Sequence, residues 1–403
     1  MLFQPFTFSN GKIAKNRFFK SAMEEQLAQN NHPSQKLVQL YDVWAKGGAG
    51  VLVTGNVMVA QNGKGSLHDV VLSDERDLPL LQQWATAGTQ NDTLLIMQIN
   101  HAGKQSPKIL SPEPVAPSAV PLVGMDGFIN PPRELKEAEI ELLIQQFITT
   151  AQIAEKAGFS GVQIHGAHGY LISQFLSPHH NRRHDKWGGS LENRMRFLLA
   201  IYQGIRQAVQ ADFLVGVKLN SADFQKGGFD ETESVQVVQK LSELGIDFIE
   251  ISGGNYESPE MLTAKASTQK REAFFLDYAE KARAVSQVPL IITGGFRTQS
   301  AMEAALQSKQ LDFIGIARPF ALMPDLPNQM QKGYYQTIRT ERIKTGFAPI
   351  DNKVGAVLEM DWYMAQMALL AQGKQANPHL SAWKVLFKTL WENGKAGLST
   401  GRS

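Results

Sequence analysis

GVQIHGAHGY, residues 161–170, is a short apolar run that ends on polar side chains: His165 and His168 three apart, then Tyr170. Runs of the same kind recur along the chain as FFKSAM (18–23), GVLVTGNVMV (50–59), LLIMQIN (94–100), FLVGVKLN (213–220), DFIEISGG (247–254), PLIITGG (289–295) and DFIGIARP (312–319). With GVQIHGA (161–167) they make eight. Between them lie stretches of helical spacing, for instance Leu37, Leu40, Tyr41 and Trp44, or Val235, Val238, Leu241 and Leu244. Strand alternating with helix implies a parallel sheet and the α/β class. Eight such units fit a closed (β/α)8 TIM barrel better than an open doubly wound sheet, which usually has fewer strands.

Residues 1–345 are therefore expected to form the barrel. Its leading segment, FQPFTFSNGKIAKNRFF, reads as an N-terminal β-hairpin around Ser9-Asn10-Gly11 that plugs the lower end. The Pro-rich stretch 102–135 reads as a long loop at the catalytic face, a candidate lid or substrate wall. After residue 345 the alternation stops, and 346–403 read as a C-terminal helical extension. One helix carries Met360, Tyr363, Met364, Met367 and Leu370. The other carries Trp383, Leu386, Phe387, Leu390 and Trp391, started by Ser381 and stopped by Gly394. Both are expected to pack on the barrel or on a neighbouring subunit of a homo-oligomer.

Composition narrows the chemistry. The chain has 403 residues, 43% of them hydrophobic, enough for a substantial core. Forty basic residues against thirty-eight acidic ones, with no long basic run, leave no electrostatic footprint for nucleic acid. The absence of cysteine removes disulfides, thiolate zinc sites, iron–sulfur clusters and cysteine nucleophiles. The opening residues lack a signal-peptide pattern and no apolar run is long enough to span a bilayer, so a cytoplasmic protein without a membrane partner is expected. No strand is followed by G-x-G-x-x-G and no G-x-x-x-x-G-K-[ST] occurs, which argues against a Rossmann domain and a P-loop.

In such a barrel, catalytic groups sit where the strands end. Ser21, Gln98, His101, His165, His168 and Lys218 all end strands, and polar groups there are costly to bury without a partner. Gly294-Gly295 after the seventh run and Arg318 after the eighth suit the phosphate of a cofactor or substrate, the alternative being a tight turn and a surface ion pair. A zinc site would join His165 and His168 to His179, His180 or His184. The spacing does not match H-E-x-x-H and lacks an adjacent helical carboxylate, so no metal is expected. Two readings of the pair remain: a buried structural cluster, or N–H donors aimed at a developing oxyanion with Tyr170 as general acid.

The stretch HGAHGYLISQFLSPHHNRRHDKWGGSLENRMRF (165–197) resembles the old yellow enzyme family, the flavin-dependent NAD(P)H oxidoreductases and ene-reductases built on this barrel. The similarity runs from about residue 3 to 345. It implies FMN across the barrel mouth, lined by Ser21, Ala22, Met23 and Gly55 with His165 beside it, and Gln98 bonded to the pyrimidine edge. Lys218 would stand near flavin N1 and O2, where a cation favours the anionic reduced form. Gly294, Gly295, Ala317 and Arg318 would hold the phosphate. His165 and His168 would bind the electron-withdrawing oxygen of a small-molecule substrate, and Tyr170 would protonate its α-carbon. Glu24 and Tyr256 would stand in the substrate wall. NADH or NADPH would be the transient hydride donor, reducing the flavin at N5 before an activated alkene takes hydride at its β-carbon.

Two positions depart from the family pattern. Glu24 stands where the family usually has Thr, Ser or Cys, so that it points away, is protonated, or lowers the flavin potential. Ala317 replaces a glycine. The iron–sulfur version of the family is excluded by the lack of cysteine. Three rivals predict different behaviour: a barrel lyase or isomerase acting on a phosphorylated metabolite, a flavoprotein that only stores or senses redox state, and an oxidative flavin dehydrogenase of the same family.

Overall fold

The computed structural model describes every residue except 126, 255–275, 339–341 and 394–403, with the side chains of 352, 353, 392 and 393 also left aside. Eight parallel strands coincide with the eight apolar runs: β1 (Phe18–Lys20), β2 (Val51–Met58), β3 (Leu94–Asn100), β4 (Gly161–Gly166), β5 (Leu214–Asn220), β6 (Phe248–Ser252), β7 (Leu290–Thr293) and β8 (Phe313–Ile316). Each pairs with the next in sequence; β8 pairs with β1 through Ile314 and Phe18, which closes the barrel.

Side chains alternate along each strand, so residues two apart share a face. The inward set in the lower half is Phe19, Val51, Val53, Leu94, Ile96, Leu214, Phe248, Ile291 and Phe313, one buried cluster. The expected hairpin covers its lower end. Phe6–Thr7 pairs antiparallel with Ile13–Ala14, the turn passes through Gly11 at φ +88°, and Phe8 stacks on Phe313 at 5.6 Å. Gly216 makes room in this layer, since a Cβ there would lie 2.3 Å from the Phe248 ring.

Helices wrap the outside: α1 (Gln35–Lys46), α2 (Leu78–Gly88), α3 (Glu137–Lys156), α4 (Leu171–Leu176), α5 (Leu191–Ala208), α6 (Glu231–Glu243), α7 (Leu276–Val285), α8 (Gln299–Gln307), α9 (Pro319–Leu322) and α10 (Leu326–Gln331). In α1 the buried residues are Leu37, Leu40, Tyr41, Trp44 and Ala45, the face that the helical spacing marks.

The tail forms α11 (Ala348–Leu370) and α12 (Ala382–Asn393). Helix α11 begins three turns before Met360, with Pro349 in its first turn, and Ile350, Val354, Val357 and Leu358 extend its apolar period over those turns. It packs on α1, α9 and α12, so the tail rests on the barrel of its own chain. The Val385 N–H bonds to the Ser381 carbonyl at 3.2 Å, the start expected for α12, while Gly394 lies outside the described residues. No helix among the described residues is long and apolar enough to cross a membrane.

Candidate active site

One inward step above the phenylalanine layer the same strands become polar: Phe19 is followed by Ser21, Ile96 by Gln98, Phe248 by Glu250 and Ile291 by Thr293. These side chains form a hydrogen-bonded belt. Thr293 donates to Glu250 Oε1 at 2.7 Å, so Ser21, 2.7 Å from the Thr293 hydroxyl, is the donor to it. Gln163 donates to Glu250 Oε2 at 2.7 Å, and Gln98 donates to Gln163 Oε1 at 2.7 Å. The Lys218 ammonium lies 3.2 Å from Glu250, with both side chains almost wholly buried. A buried charge without its partner would be strongly unfavourable, so each of these two requires the other.

Above the belt opens a cavity of about 300 Å³, within the size range of small-molecule sites. Its walls bring together Ala22, Met23, Glu24, Gln98, His165, His168, Tyr170, Lys218, Ala317 and Arg318, which the sequence places on five different strand ends. Other expected residues are not in the wall. Ser21 faces into the belt. The Gly55 N–H donates to Glu25 Oε1 at 2.9 Å, and a Cβ on Gly55 would lie 2.0 Å from the Glu25 carboxylate; this glycine makes room for Glu25. Gly294 and Gly295 adopt φ of +122° and +90° just beyond β7 without lining the cavity. Tyr256 lies outside the described residues.

The 102–135 loop is likewise corrected: none of its described residues reaches the cavity. It is fastened to the segment after α4, with Arg183 donating to the carbonyls of Pro117 (3.0 Å) and Leu135 (2.7 Å) and the Lys104 ammonium 2.8 Å from His180 Nδ1. The wall expected of that loop is supplied by α11, through Glu359, Met360, Tyr363, Met364 and Met367. His101 is also structural: its Nδ1 accepts from the Gly103 N–H, and burial pulls its pKa down to about 4. His179, His180 and His184 stand away from the cavity, and no metal-holding group of three His, Cys, Asp or Glu exists among the described residues.

The histidine pair is built by an unusual turn. His168 and Gly169 both take left-handed backbone conformations, φ +60° and +75°, immediately after β4. For a non-glycine residue this is unfavourable and needs support from its surroundings. Asn220 accepts the His168 N–H (3.1 Å), Gln105 donates to the His168 carbonyl (3.1 Å), and the imidazole Nε2 lies 2.8 Å from the Ser252 hydroxyl. The turn sets the His165 ring 5.1 Å from that of His168 and 4.9 Å from that of Tyr170. Burial, together with the Lys218 charge, holds both imidazoles well below the usual histidine pKa, so both are neutral at pH 7. His165 Nδ1 accepts from the Ala167 N–H at 3.3 Å, which leaves its proton on Nε2.

Glu24 does line the cavity, with Asn56 donating to it at 3.1 Å, and it is hydrogen-bonded to Asp69. Burial raises the pKa of both carboxyls. Asp69, however, accepts from the Gly65 and Ser66 N–H groups and from the Ser66 hydroxyl, which favour its ionised form. The shared proton therefore resides on Glu24. Of the three options for this residue, the protonated form is the one the surroundings select, and a neutral carboxyl does not oppose electron uptake nearby.

Arg318 makes the ion pair that the alternative reading allowed, its NH1 donating to Glu359 of α11 at 2.7 Å. A guanidinium has five N–H donors, so the others remain for a phosphate. The residues fit FMN. The Gln98 amide and the Lys218 ammonium are donors suited to the acceptor-rich pyrimidine edge of a flavin, and Arg318 suits its phosphate.

Glu250 and Gln163 were not picked out by sequence, and the helix carrying Met360, Tyr363, Met364 and Met367 was expected only to pack on the barrel or a neighbouring subunit. Glu250 shows the same signal as Lys218, a charge inside an apolar strand (DFIEISGG). The α11 methionines carry no such mark, because their spacing is that of any core-facing helix.

Comparison with known proteins gives concordant results. The profile of the NADH:flavin oxidoreductase / NADH oxidase family matches residues 1–337. The NADH-dependent flavin oxidoreductase iliE of Hypocrea jecorina is 36% identical over 396 residues, covering 91% of this chain and 95% of that protein. The NADH-dependent flavin oxidoreductase nadA of Aspergillus parasiticus is 38% identical, covering 82% of this chain and 78% of its own. Among solved structures, the old yellow enzyme homologue of Zymomonas mobilis superposes with a TM-score of 0.71 at 27% identity, over 83% of this chain and 94% of that one.

Proposed function

Because the chain belongs to the NADH:flavin oxidoreductase / NADH oxidase family of old yellow enzymes, with FMN as cofactor and NADH or NADPH as hydride source, we propose that it reduces carbonyl-activated C=C bonds by two alternating half-reactions. Membership in this family sets aside the lyase and isomerase reading. Bound FMN supplies the two-electron relay between nicotinamide and alkene.

The observation that carries the proposal is the neutral His165–His168 pair beside Tyr170 on the wall of the cavity that also holds Lys218 and Gln98. His165 presents Nε2–H to the substrate carbonyl. His168 Nε2 lies 2.8 Å from the Ser252 hydroxyl, and with the serine as donor in that pair the imidazole keeps Nδ1–H as the second donor. Negative charge grows on the carbonyl oxygen during hydride attack, so donors already in place stabilise the transition state more than the ground state. Tyr170 delivers the proton to the α-carbon. Lys218, its charge compensated by Glu250, and Gln98 orient the pyrimidine edge, and Arg318 holds the phosphate.

The test is the visible spectrum of the purified protein, followed anaerobically through addition of NADPH or NADH and then 2-cyclohexenone. Bands near about 370 and 450 nm should bleach with the nicotinamide and return with the enone. Tyr170→Phe should slow the second phase by roughly 10²- to 10⁴-fold while sparing the first. A protein that stays colourless with added FMN, or one in which Tyr170→Phe and His165→Ala both reduce enone at the native rate, would overturn the reading.

A further inference from the structure

Helix α11 turns one face to the cavity. Ala356, Met360 and Met364 are four apart, as are Glu359, Tyr363 and Met367, so the six form two adjacent stripes on one side of the helix. A third row, Leu358, Trp362 and Gln366, is buried and anchored on the side away from these stripes. Trp362 donates to the Leu380 carbonyl at 2.8 Å, and Gln366 exchanges two hydrogen bonds with the Asn377 backbone, at 3.0 and 2.7 Å. The one charged residue of the cavity face, Glu359, is held by Arg318 at the end of β8. The helix is thus pinned both to the barrel and to its own tail, and what it presents to the site is thioether and phenol surface.

We propose that α11 is the specificity wall of the active site, and that its Met360, Met364 and Met367 face selects alkenes bearing a bulky apolar ring. This rests on the ene-reductase reading above. Methionine is unbranched and polarisable, fits irregular apolar shapes, and makes favourable contact with ring edges. The α11 face has no uncompensated charge of its own, so a polar or anionic substituent lying against it finds no partner on the helix and is left desolvated, while Arg342 lines the cavity outside this helix. Small enones engage the histidine pair alone, whereas ring-bearing ones gain the methionine surface as well.

The test uses the FMN-loaded full chain and two variants, Met364→Trp and Met364→Ala. Two quantities are read: the ratio of kcat/KM for 4-phenyl-3-buten-2-one over that for 2-cyclohexenone, and the Kd of the unreactive 4-phenyl-2-butanone from its perturbation of the oxidised flavin spectrum. Met364→Trp should lower the ratio at least roughly tenfold, and Met364→Ala should weaken the phenyl ketone several-fold. FMN content reports whether each variant has folded; should the Trp variant lose FMN, the Kd measured on the Ala variant decides. A ratio and a Kd within about twofold of native, or equal loss on both enones, would overturn the wall. Native protein that reduces neither enone yet binds the ketone through Met364 would retain the wall and refute the ene-reductase reading instead.

Discussion

The lower and upper halves of the barrel interior are built from the same strands, one inward step apart, yet they are held by different physics. Below, Phe19, Ile96, Phe248 and Ile291 pack against the hairpin with Phe8 and Phe313, and the stabilisation is apolar burial, which has no preferred direction. Above, Ser21, Gln98, Glu250 and Thr293 are held by directed hydrogen bonds, and each relies on the next. The lower layer can tolerate a change of shape at a cost that scales with lost volume. The upper layer cannot lose one member without leaving buried donors or a charge unanswered. In this molecule stability and chemistry are separated by a single turn of the strand alternation.

The largest effect that bears on this contrast is expected at Phe248→Ala. The ring touches Phe8 and Phe19 in the plugged end, and its removal should cost about 3–5 kcal/mol in urea or thermal unfolding, with FMN affinity following only through folding. A cost below about 1 kcal/mol would show that the hairpin collapses into the gap.

Glu250→Ala should cost a similar amount, about 3–5 kcal/mol, for a different reason: Lys218 is left charged and buried, and the Thr293 and Gln163 donors lose their acceptor. Adding Lys218→Met should recover much of the stability but not FMN binding. If the double variant is no more stable than Glu250→Ala, the belt is not organised around this ion pair.

His165→Ala should leave the unfolding midpoint nearly unchanged while slowing enone reduction by about 10²- to 10³-fold. An equal slowing of flavin reduction by NADPH would place His165 on the cofactor rather than on the substrate oxygen.

The smallest effect is expected in the pH dependence of stability. Glu24 has a raised pKa in the folded state, so above the free-glutamate value of about 4.3 the unfolded chain gives up a proton that the native protein keeps. Stability then falls as pH rises from there to the folded pKa, by about 1.4 kcal/mol for each unit of displacement. Glu24→Gln should remove that decline in Tm against pH. Parallel curves for native protein and variant would mean that Glu24 titrates as a free carboxyl. The buried imidazoles act with the opposite sign: their pKa values are depressed, so stability is lost as pH falls below about 6.5, where the unfolded chain takes up protons.

Much of this could be read along the chain because it rests on local periodicity. Eight apolar runs alternating with helical spacing specify the barrel, and the two-residue period of a strand decides which side chains face inward. Hence Gln98, His165 and Lys218 could be named as site residues before any contact was known, and Glu250 could have been by the same rule. The Ser9-Asn10-Gly11 turn likewise announces its hairpin locally.

What only the tertiary structure decided are relations between residues far apart in sequence. Ser21 at the end of β1 and Gly55 within β2 serve Thr293 and Glu25 instead of the cavity. The 102–135 loop follows a catalytic strand yet is drawn aside by Arg183, and α11, from beyond the barrel, takes its place. The protonation of Glu24 depends on Asp69 and its three donors, and the pairing of Arg318 depends on Glu359. Periodicity in the amino-acid sequence determined the fold and the strand-end residues of the site, because both follow from which way successive side chains point. Closure of the cavity and the charge state of its groups were decided by packing, because burial and Coulomb interaction depend on distance in space and not on separation along the chain.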